Sequence, residues 1–115
     1  MKTKLPTEWQ TLADQLGIEE FTPIQTQLFN PVLTGENLLG VSPTGTGKTL
    51  AYLLPILLRL QKKKGQQLLI LAPNTELAGQ IFDVTKVWGE AIGLTAQLFL
   101  SGSSQKRQIE RLKKG

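Results

Sequence analysis

The sequence predicts an α/β fold, with a parallel sheet of about three strands flanked by helices. Short apolar segments alternate with longer segments whose apolar residues recur at helical spacing. The short segments are continuous in apolar residues, as in strands that are buried on both faces of a parallel sheet. A glycine-rich loop joins the first strand to a helix. These features are typical of doubly wound nucleotide-binding domains, which bind ligands at the carboxyl ends of their strands.

Helices are predicted in five segments. The first covers residues 6–16 and ends at Gly17, and the second covers residues 22–33, with Pro23 at its first position. The third runs from the glycine-rich loop to about residue 61 and contains Pro55, which we expect to bend it. The last two are predicted over residues 74–88, or as far as 91, and over residues 104–114.

Strands are predicted at 38–42, 67–72 and 95–100. Because helices separate them, right-handed crossovers and parallel strands are expected. The length of 115 residues suits one domain or part of one. Such a small sheet would have unpaired edges, which predicts self-association of the chain.

The loop at 42–49, Ser-Pro-Thr-Gly-Thr-Gly-Lys-Thr, is the strongest indication of chemistry. Backbone N–H groups of a glycine-rich turn followed by a helix N-terminus bind polyphosphate. Lys48 is expected to contact the β and γ phosphates, and the Thr49 hydroxyl to bind Mg²⁺, which makes both of them catalytic candidates. Ser42 replaces the first glycine of the strict phosphate-loop pattern, and the alternative is a glycine-rich turn with a solvated lysine. The predicted nucleotide-binding residues of the loop are Thr44, Gly45, Thr46, Gly47, Lys48 and Thr49.

Composition excludes several classes of site. The chain has no cysteine and no histidine, which excludes disulfides, thiolate or histidine metal sites and histidine-based catalysis within it. The N-terminal residues lack the apolar core of a signal peptide. The longest apolar stretch, 50–60, is too short to span a bilayer and is interpreted as a buried helix. No membrane partner and a cytoplasmic location are therefore predicted.

Charge is compatible with a nucleic-acid partner without demonstrating one. The net charge is +4, and the basic residues cluster at 62–64 and in the last ten residues. A solvated loop or helix face is the alternative explanation for both clusters. It is favoured for 62–64, where cations would lie near a helix C-terminus.

The segment Phe21-Thr22-Pro23-Ile24-Gln25 resembles the Q motif of the DEAD-box RNA helicase family, Gly-Phe-x-x-Pro-[Thr/Ser]-x-Ile-Gln. The resemblance implies that the Gln25 amide recognises adenine, which selects ATP over GTP, and that Ile18 lies near the base. Thr22-x-x-Gln25 is also the pattern of a helix capping box. The two interpretations are compatible, because a capped helix start would hold the glutamine side chain in place.

The resemblance extends along the chain. The loop matches the family's Ala-x-Thr-Gly-x-Gly-Lys-Thr, residues 73–80 match Pro-Thr-Arg-Glu-Leu-Ala-x-Gln, and Ser101-Gly102 matches a Gly-Gly segment. In the family the last two segments contact the RNA backbone. Asn74-Thr75 replaces the family's Thr-Arg, so a cationic contact is lost and weaker RNA binding is expected. The RNA-binding residues implied by the resemblance are Pro73, Asn74, Thr75, Glu76, Ser101 and Gly102. The alternatives are a helix cap at Asn74 and a turn into the last helix at 101–104.

The resemblance implies that residues 1–115 are the N-terminal portion of a RecA-like helicase ATP-binding domain, a partial phosphate-loop NTPase domain of an ATP-dependent RNA helicase. Hydrolysis would need a strand-end aspartate for Mg²⁺, a glutamate for water and arginines for phosphoryl charge. The sequence has no candidate for any of these. The chain alone is therefore expected to bind ATP without hydrolysing it. The alternative is a complete non-enzymatic nucleotide- or RNA-binding module.

Overall fold

The computed structural model describes residues 5–41, 47–62, 65, 68–101 and 105–114. All five predicted helices are confirmed, close to their predicted bounds. They are α1 (Thr7–Gln15), α2 (Pro23–Leu33), α3 (Lys48–Lys62), α4 (Thr75–Glu90) and α5 (Gln105–Lys114).

Local chemistry accounts for the ends of the first two helices. The end of α1 is a Schellman motif, in which the Ile18 N–H donates to the Ala13 carbonyl at 2.8 Å and Gly17 takes φ of 75°. The Thr22 hydroxyl caps α2, and Pro23 occupies its first turn, where a missing N–H costs no hydrogen bond.

The chain divides into two compact units, Met1–Leu68 and Leu69–Gly115. In the first, α2 packs against α3, and Trp9, Leu53, Leu54 and Pro55 are the largest fully buried side chains. The apolar stretch at 50–60 is therefore the buried helix that the sequence predicted. In the second unit, Trp88 of α4 and the nearby Ile92 are buried.

The described residues do not form the predicted parallel sheet. The predicted strands at 38–42, 67–72 and 95–100 are not assigned as strands wherever the structure describes them. Leu39 is 91% exposed and Leu71 is 86% exposed, so these side chains are not covered by a neighbouring layer. An apolar run indicates which segments favour burial in a sheet. The ladder itself requires hydrogen bonds from a neighbouring strand, which the run cannot supply.

A membrane-spanning helix must be both long and apolar. The two longest described helices, Lys48–Lys62 and Thr75–Glu90, have 15 and 16 residues. None of the described helices is long and apolar enough to cross a membrane.

Candidate functional site

The first turn of α3 provides the described part of the predicted phosphate loop. Gly47 has a φ of 81°, a left-handed conformation that glycine adopts without the strain of a Cβ. Its carbonyl accepts the Ala51 N–H at 3.2 Å, which starts the hydrogen bonds of the helix. Lys48 follows with an exposed side chain, and Thr49 is half-buried. Three of the predicted nucleotide-binding residues, Thr44, Gly45 and Thr46, lie outside the described residues.

Gln25 is the polar side chain most deeply placed near this turn, with only 6% of its surface exposed. The Gln25 side-chain Oε1 accepts the Thr22 backbone N–H at 2.9 Å, and the Gln25 backbone N–H donates to the Thr22 hydroxyl at 3.4 Å. These two bonds form the capping box of α2, so that interpretation of the Thr22 and Gln25 pattern is confirmed.

The Gln25 amide also joins the two helices. Its Nε2 donates to the Gly47 carbonyl at 3.2 Å, across 22 positions of sequence. One residue thus caps α2 and holds the backbone where α3 begins. Each amide atom has used one of its two hydrogen-bonding positions, so an acceptor and a donor position remain. The adenine role of Gln25 therefore stays a prediction that this geometry permits.

The contact between Gln25 and Gly47 leaves no room for a side chain at position 47. A Cβ added to Gly47 would collide with Gln25 Nε2. The glycine is required twice, by its positive φ and by this close approach. The loop pattern anticipated the glycine, whereas only the tertiary structure identifies Gln25 as its neighbour.

Tyr52 is a site residue that the sequence interpretation missed. Burial raises the pKa of its hydroxyl, and a hydrogen bond with the Thr49 side chain opposes part of that rise. The two residues are three positions apart, so they share one face of α3. The sequence feature that could have indicated this pair is its spacing of three positions, directly after the predicted loop.

The donor set around Thr49 suits a metal that is held mainly by a nucleotide. A hydroxyl oxygen is a hard ligand of the kind that Mg²⁺ accepts, and Mg²⁺ sites often take their other ligands from substrate phosphates and water. Among the described residues, no three histidine, cysteine, aspartate or glutamate side chains are grouped so as to hold a metal by themselves. The Mg²⁺ role of Thr49 therefore stays a prediction, in which phosphate oxygens and water would supply other ligands.

A cavity of about 340 Å³ lies beside this turn, between α2 and α3. Its walls are mostly apolar, and Glu36, Lys48 and Tyr52 are its charged or hydroxyl-bearing members. The apolar side chains that line it are Ile24, Leu28, Val32, Leu38 and Ile56. The cavity places an apolar wall next to the predicted phosphate-contacting lysine.

The remaining predicted nucleotide contact, Ile18, is half-buried in the Schellman motif that ends α1. Its backbone N–H bonds to the Ala13 carbonyl. This position belongs to the unit that contains Gln25 and Gly47. Its role next to a base is not tested and stays a prediction.

The predicted RNA-binding residues at the start of α4 are exposed. Pro73, Asn74, Thr75 and Glu76 lie at or just before the first turn of the helix. Asn74 Oδ1 accepts the Leu77 N–H at 2.8 Å, so the capping role expected for this residue type is present. The Asn74 side-chain NH₂ is not used in that bond. A helix N-terminus with exposed polar side chains is suited to phosphate oxygens.

Ser101, the other described RNA candidate, is exposed in a turn before α5, and Gly102 lies outside the described residues. Gln108 of α5 donates through Nε2 to the Leu100 carbonyl at 2.9 Å. This bond ties the helix to the residue that precedes Ser101.

Comparison with protein families matches residues 22–115 to the DEAD/DEAH box helicase model. The probable ATP-dependent RNA helicase YfmL of Bacillus subtilis is 43% identical over 99 residues, which cover 85% of this chain and 26% of YfmL. The DEAD-box ATP-dependent RNA helicase CshC of Bacillus cereus is 39% identical over 102 residues, covering 88% of this chain and 26% of CshC.

Among solved structures, the RNA helicase Prp28 of Chaetomium thermophilum, bound to ADP, matches with a TM-score of 0.81 and 33% identity. The match covers 96% of this chain and 28% of the Prp28 chain. The structural neighbour is therefore a RecA-like helicase domain, whereas the described residues of this chain form no strands. The chain spans about a quarter of the length of the relatives that it matches.

Proposed function

The chain belongs to the DEAD/DEAH box helicase family, and from this premise we propose that it is the ATP-binding portion of an RNA helicase. The whole protein would couple ATP hydrolysis to the unwinding or remodelling of RNA duplexes. The observation that carries the proposal is the bond from Gln25 Nε2 to the Gly47 carbonyl, at the helix start that bears Lys48 and Thr49. It joins the predicted base-reading residue to the predicted phosphate site.

The chemistry follows from the residues of this turn. The first N–H groups of α3 and the Lys48 ammonium attract phosphate oxygens, and Gly47 lets the backbone approach them closely. Thr49 would supply one hydroxyl ligand for Mg²⁺, which when bound neutralises charge on the phosphates. The spare donor and acceptor of Gln25 would pair with the adenine edge, with Ile18 near the base.

The fold proposal includes strands. We propose that the apolar segments at 38–42, 67–72 and 95–100 form strands of a parallel sheet when neighbouring strands are available. Exposure supports this for the first two segments, since Leu39, Val41, Leu69 and Leu71 are each at least 79% exposed. Large exposed apolar surfaces are typical of interaction sites.

RNA is the proposed macromolecular partner. Its backbone would contact Asn74, Thr75, Glu76 and the preceding Pro73, together with the Ser101-Gly102 segment. Exposure of the described members of both segments and the helix N-terminus at Thr75 support this assignment. A cytoplasmic location belongs to the same proposal and is supported by the cysteine-free composition.

The test is ATP binding and turnover by this chain. Lys48→Ala should weaken ATP binding roughly tenfold to a hundredfold, since a hydrogen bond to a charged group is worth about 1.5–3 kcal/mol. Lys86→Ala is the matched control, because Lys86 is an exposed lysine of α4 outside the loop. Binding is measured by calorimetry and turnover by phosphate release.

Two results would contradict the proposal. Equal ATP affinity of the two lysine variants would remove the phosphate site from α3. RNA-stimulated ATP hydrolysis by this chain would show that it contains the hydrolytic groups that we place outside it.

A further inference from the structure

The helix α5 concentrates the positive charge of the molecule. Its ten residues, Gln105–Lys114, contain five basic side chains and one acidic side chain, Glu110. The resulting charge of +4 equals that of the whole chain, so the remaining residues are balanced. The basic residues of the helix are Lys106, Arg107, Arg111, Lys113 and Lys114.

The described cations of α5 face solvent. Lys106, Arg107 and Arg111 are exposed, and Gln108 is the half-buried residue among positions 105–111. Arg107 and Arg111 are four positions apart, which brings them onto one face of the helix. Glu110 lies among them and offsets part of their field.

A hydrogen bond fixes where this charge lies. Gln108 Nε2 donates to the Leu100 carbonyl at 2.9 Å, directly before Ser101. The basic helix is therefore held beside one of the two segments proposed to contact RNA. Neighbouring positive charge strengthens a phosphate site and raises the rate of association.

We propose that α5 is a sequence-independent contact for the phosphate backbone of RNA, continuous with the Ser101 segment. The inference rests on the proposed RNA-binding function and extends it to side chains that no motif of the chain includes. Cationic side chains of this kind add affinity by releasing condensed counterions, whatever the base sequence.

An anionic membrane is the other partner that attracts a basic helix. Interfacial helices insert a broad apolar face into the headgroup region. Across positions 105–111, the apolar residue is Ile109, which is 46% exposed. Leu112 is the second apolar residue of the ten in α5, and two such residues among five cations provide little apolar area for insertion, so the observations favour RNA.

The experiment measures binding of a short single-stranded oligouridylate to this chain by fluorescence anisotropy at several salt concentrations. The double variant Lys106→Gln, Arg111→Gln should weaken binding at low salt. It should also lower the slope of log Kd against log salt by roughly 1.4, because each phosphate contact on a single strand contributes about 0.7. The control Lys62→Gln, Lys64→Gln removes the same number of positive charges as the double variant and should keep the wild-type slope.

A second variant guards against loss of folding as the explanation. Glu110→Gln removes the one carboxylate of the helix and should tighten binding of the same oligouridylate. A misfolded variant would not gain affinity. Vesicles of phosphatidylserine and phosphatidylcholine should bind the wild-type chain and the double variant equally weakly.

The outcomes separate this inference from the proposed function. If the double variant keeps the wild-type slope, or if the control lowers the slope by as much, the α5 contact is wrong while RNA binding stands. If the wild-type chain binds ATP but no RNA, both the inference and the RNA part of the function are wrong. Preferential binding to vesicles would assign the helix to a membrane surface instead.

Discussion

A single glutamine, Gln25, joins the start of α2 to the start of α3. Gln25 is buried, caps α2 through Thr22 and donates to the Gly47 carbonyl at 3.2 Å. Breaking this part-buried bond removes one of the two hydrogen bonds that the Gly47 carbonyl accepts, since the Ala51 N–H also donates to it. An intramolecular hydrogen bond of this kind contributes about 0.5–1.5 kcal/mol. Gln25 is therefore expected to position the backbone of the phosphate loop, whether or not it also contacts adenine.

The two roles of Gln25 can be distinguished with Gln25→Glu. The carboxylate can still accept the Thr22 N–H but cannot donate to Gly47 or to a base, so ATP affinity should fall roughly tenfold. If Gln25 reads adenine, the preference for ATP over GTP should fall as well. Affinities for both nucleotides are measured by competition with a fluorescent analogue.

Gln27→Glu is the control, because Gln27 is an exposed residue of the same helix. It introduces the same charge without breaking the bond to Gly47. Equal loss for ATP and GTP in Gln25→Glu would limit Gln25 to positioning. No loss for either nucleotide would contradict both roles.

Tyr52 offers a direct probe of the Thr49 hydroxyl, because it is the one tyrosine of the chain. Burial raises its pKa above 10.0, and the Thr49 hydrogen bond limits that rise. Thr49→Val should therefore raise the pKa further, which ultraviolet titration of the phenolate would detect. A lower or unchanged midpoint in the variant would mean that the hydrogen bond is not made in solution.

The sign of the effect on stability follows from the same shift. A raised folded-state pKa favours the neutral phenol, so the contribution to stability is complete below the unfolded pKa of about 10. The free energy of unfolding should then fall as pH rises from that value through the folded pKa. Tyr52→Phe should remove this part of the pH dependence in denaturant titrations.

At the scale of the elements, α4 begins with a side chain that has a structural role and a proposed functional one. Asn74 caps the helix through its bond to the Leu77 N–H at 2.8 Å, and it is exposed at the surface proposed for RNA. Cap residues contribute stability through the first turn, whereas an RNA contact would use the remaining polar atoms. Substitutions can separate the two contributions.

Asn74→Ala should lower the free energy of unfolding by about 1 kcal/mol, because it removes a cap. Asn74→Asp should keep the cap and favour the helix dipole, but its negative charge should weaken RNA binding. Unfolding is followed by circular dichroism and RNA binding by anisotropy.

Asn37→Ala, at an exposed position outside the described helices, is the control for both measurements. A stable Asn74→Asp variant with unchanged RNA affinity would contradict the contact at this helix start. Equal stability of the two alanine variants would contradict the cap.

At the scale of the whole molecule, large apolar side chains are exposed in the predicted strand segments. Leu39, Val41, Leu69 and Leu71 are 91%, 81%, 79% and 86% exposed. Covering such side chains is favourable by about 25 cal/mol for each Å² removed from water. We therefore propose that the chain self-associates through these segments.

Sedimentation velocity should show assembly that increases with protein concentration. The double variant Leu39→Lys, Leu71→Lys should shift the chain toward monomer. Leu16→Lys is the control, since Leu16 is 55% exposed at the end of α1, outside the strand segments. A monomeric wild-type chain that unfolds cooperatively would contradict the proposal.

Much of the architecture and part of the site were predictable from sequence. The capping pattern at Thr22 and Gln25, the Asn74 cap and Gly17 all predict helix ends that the structure confirms, because capping bonds join residues a few positions apart. The family followed from the Q-motif and phosphate-loop patterns. The bonds from Gln25 to Gly47 and from Gln108 to Leu100 could not be predicted in the same way, because they depend on how distant segments pack.

The sequence by itself determined the five helices and the family, because helical periodicity, capping and loop motifs are local properties of the chain. Only the tertiary structure decided that Gln25 holds the start of α3 and that the strand segments have exposed side chains. These features depend on neighbours supplied by other segments. Sheet pairing is the clearest case, since a strand obtains its hydrogen bonds from another strand.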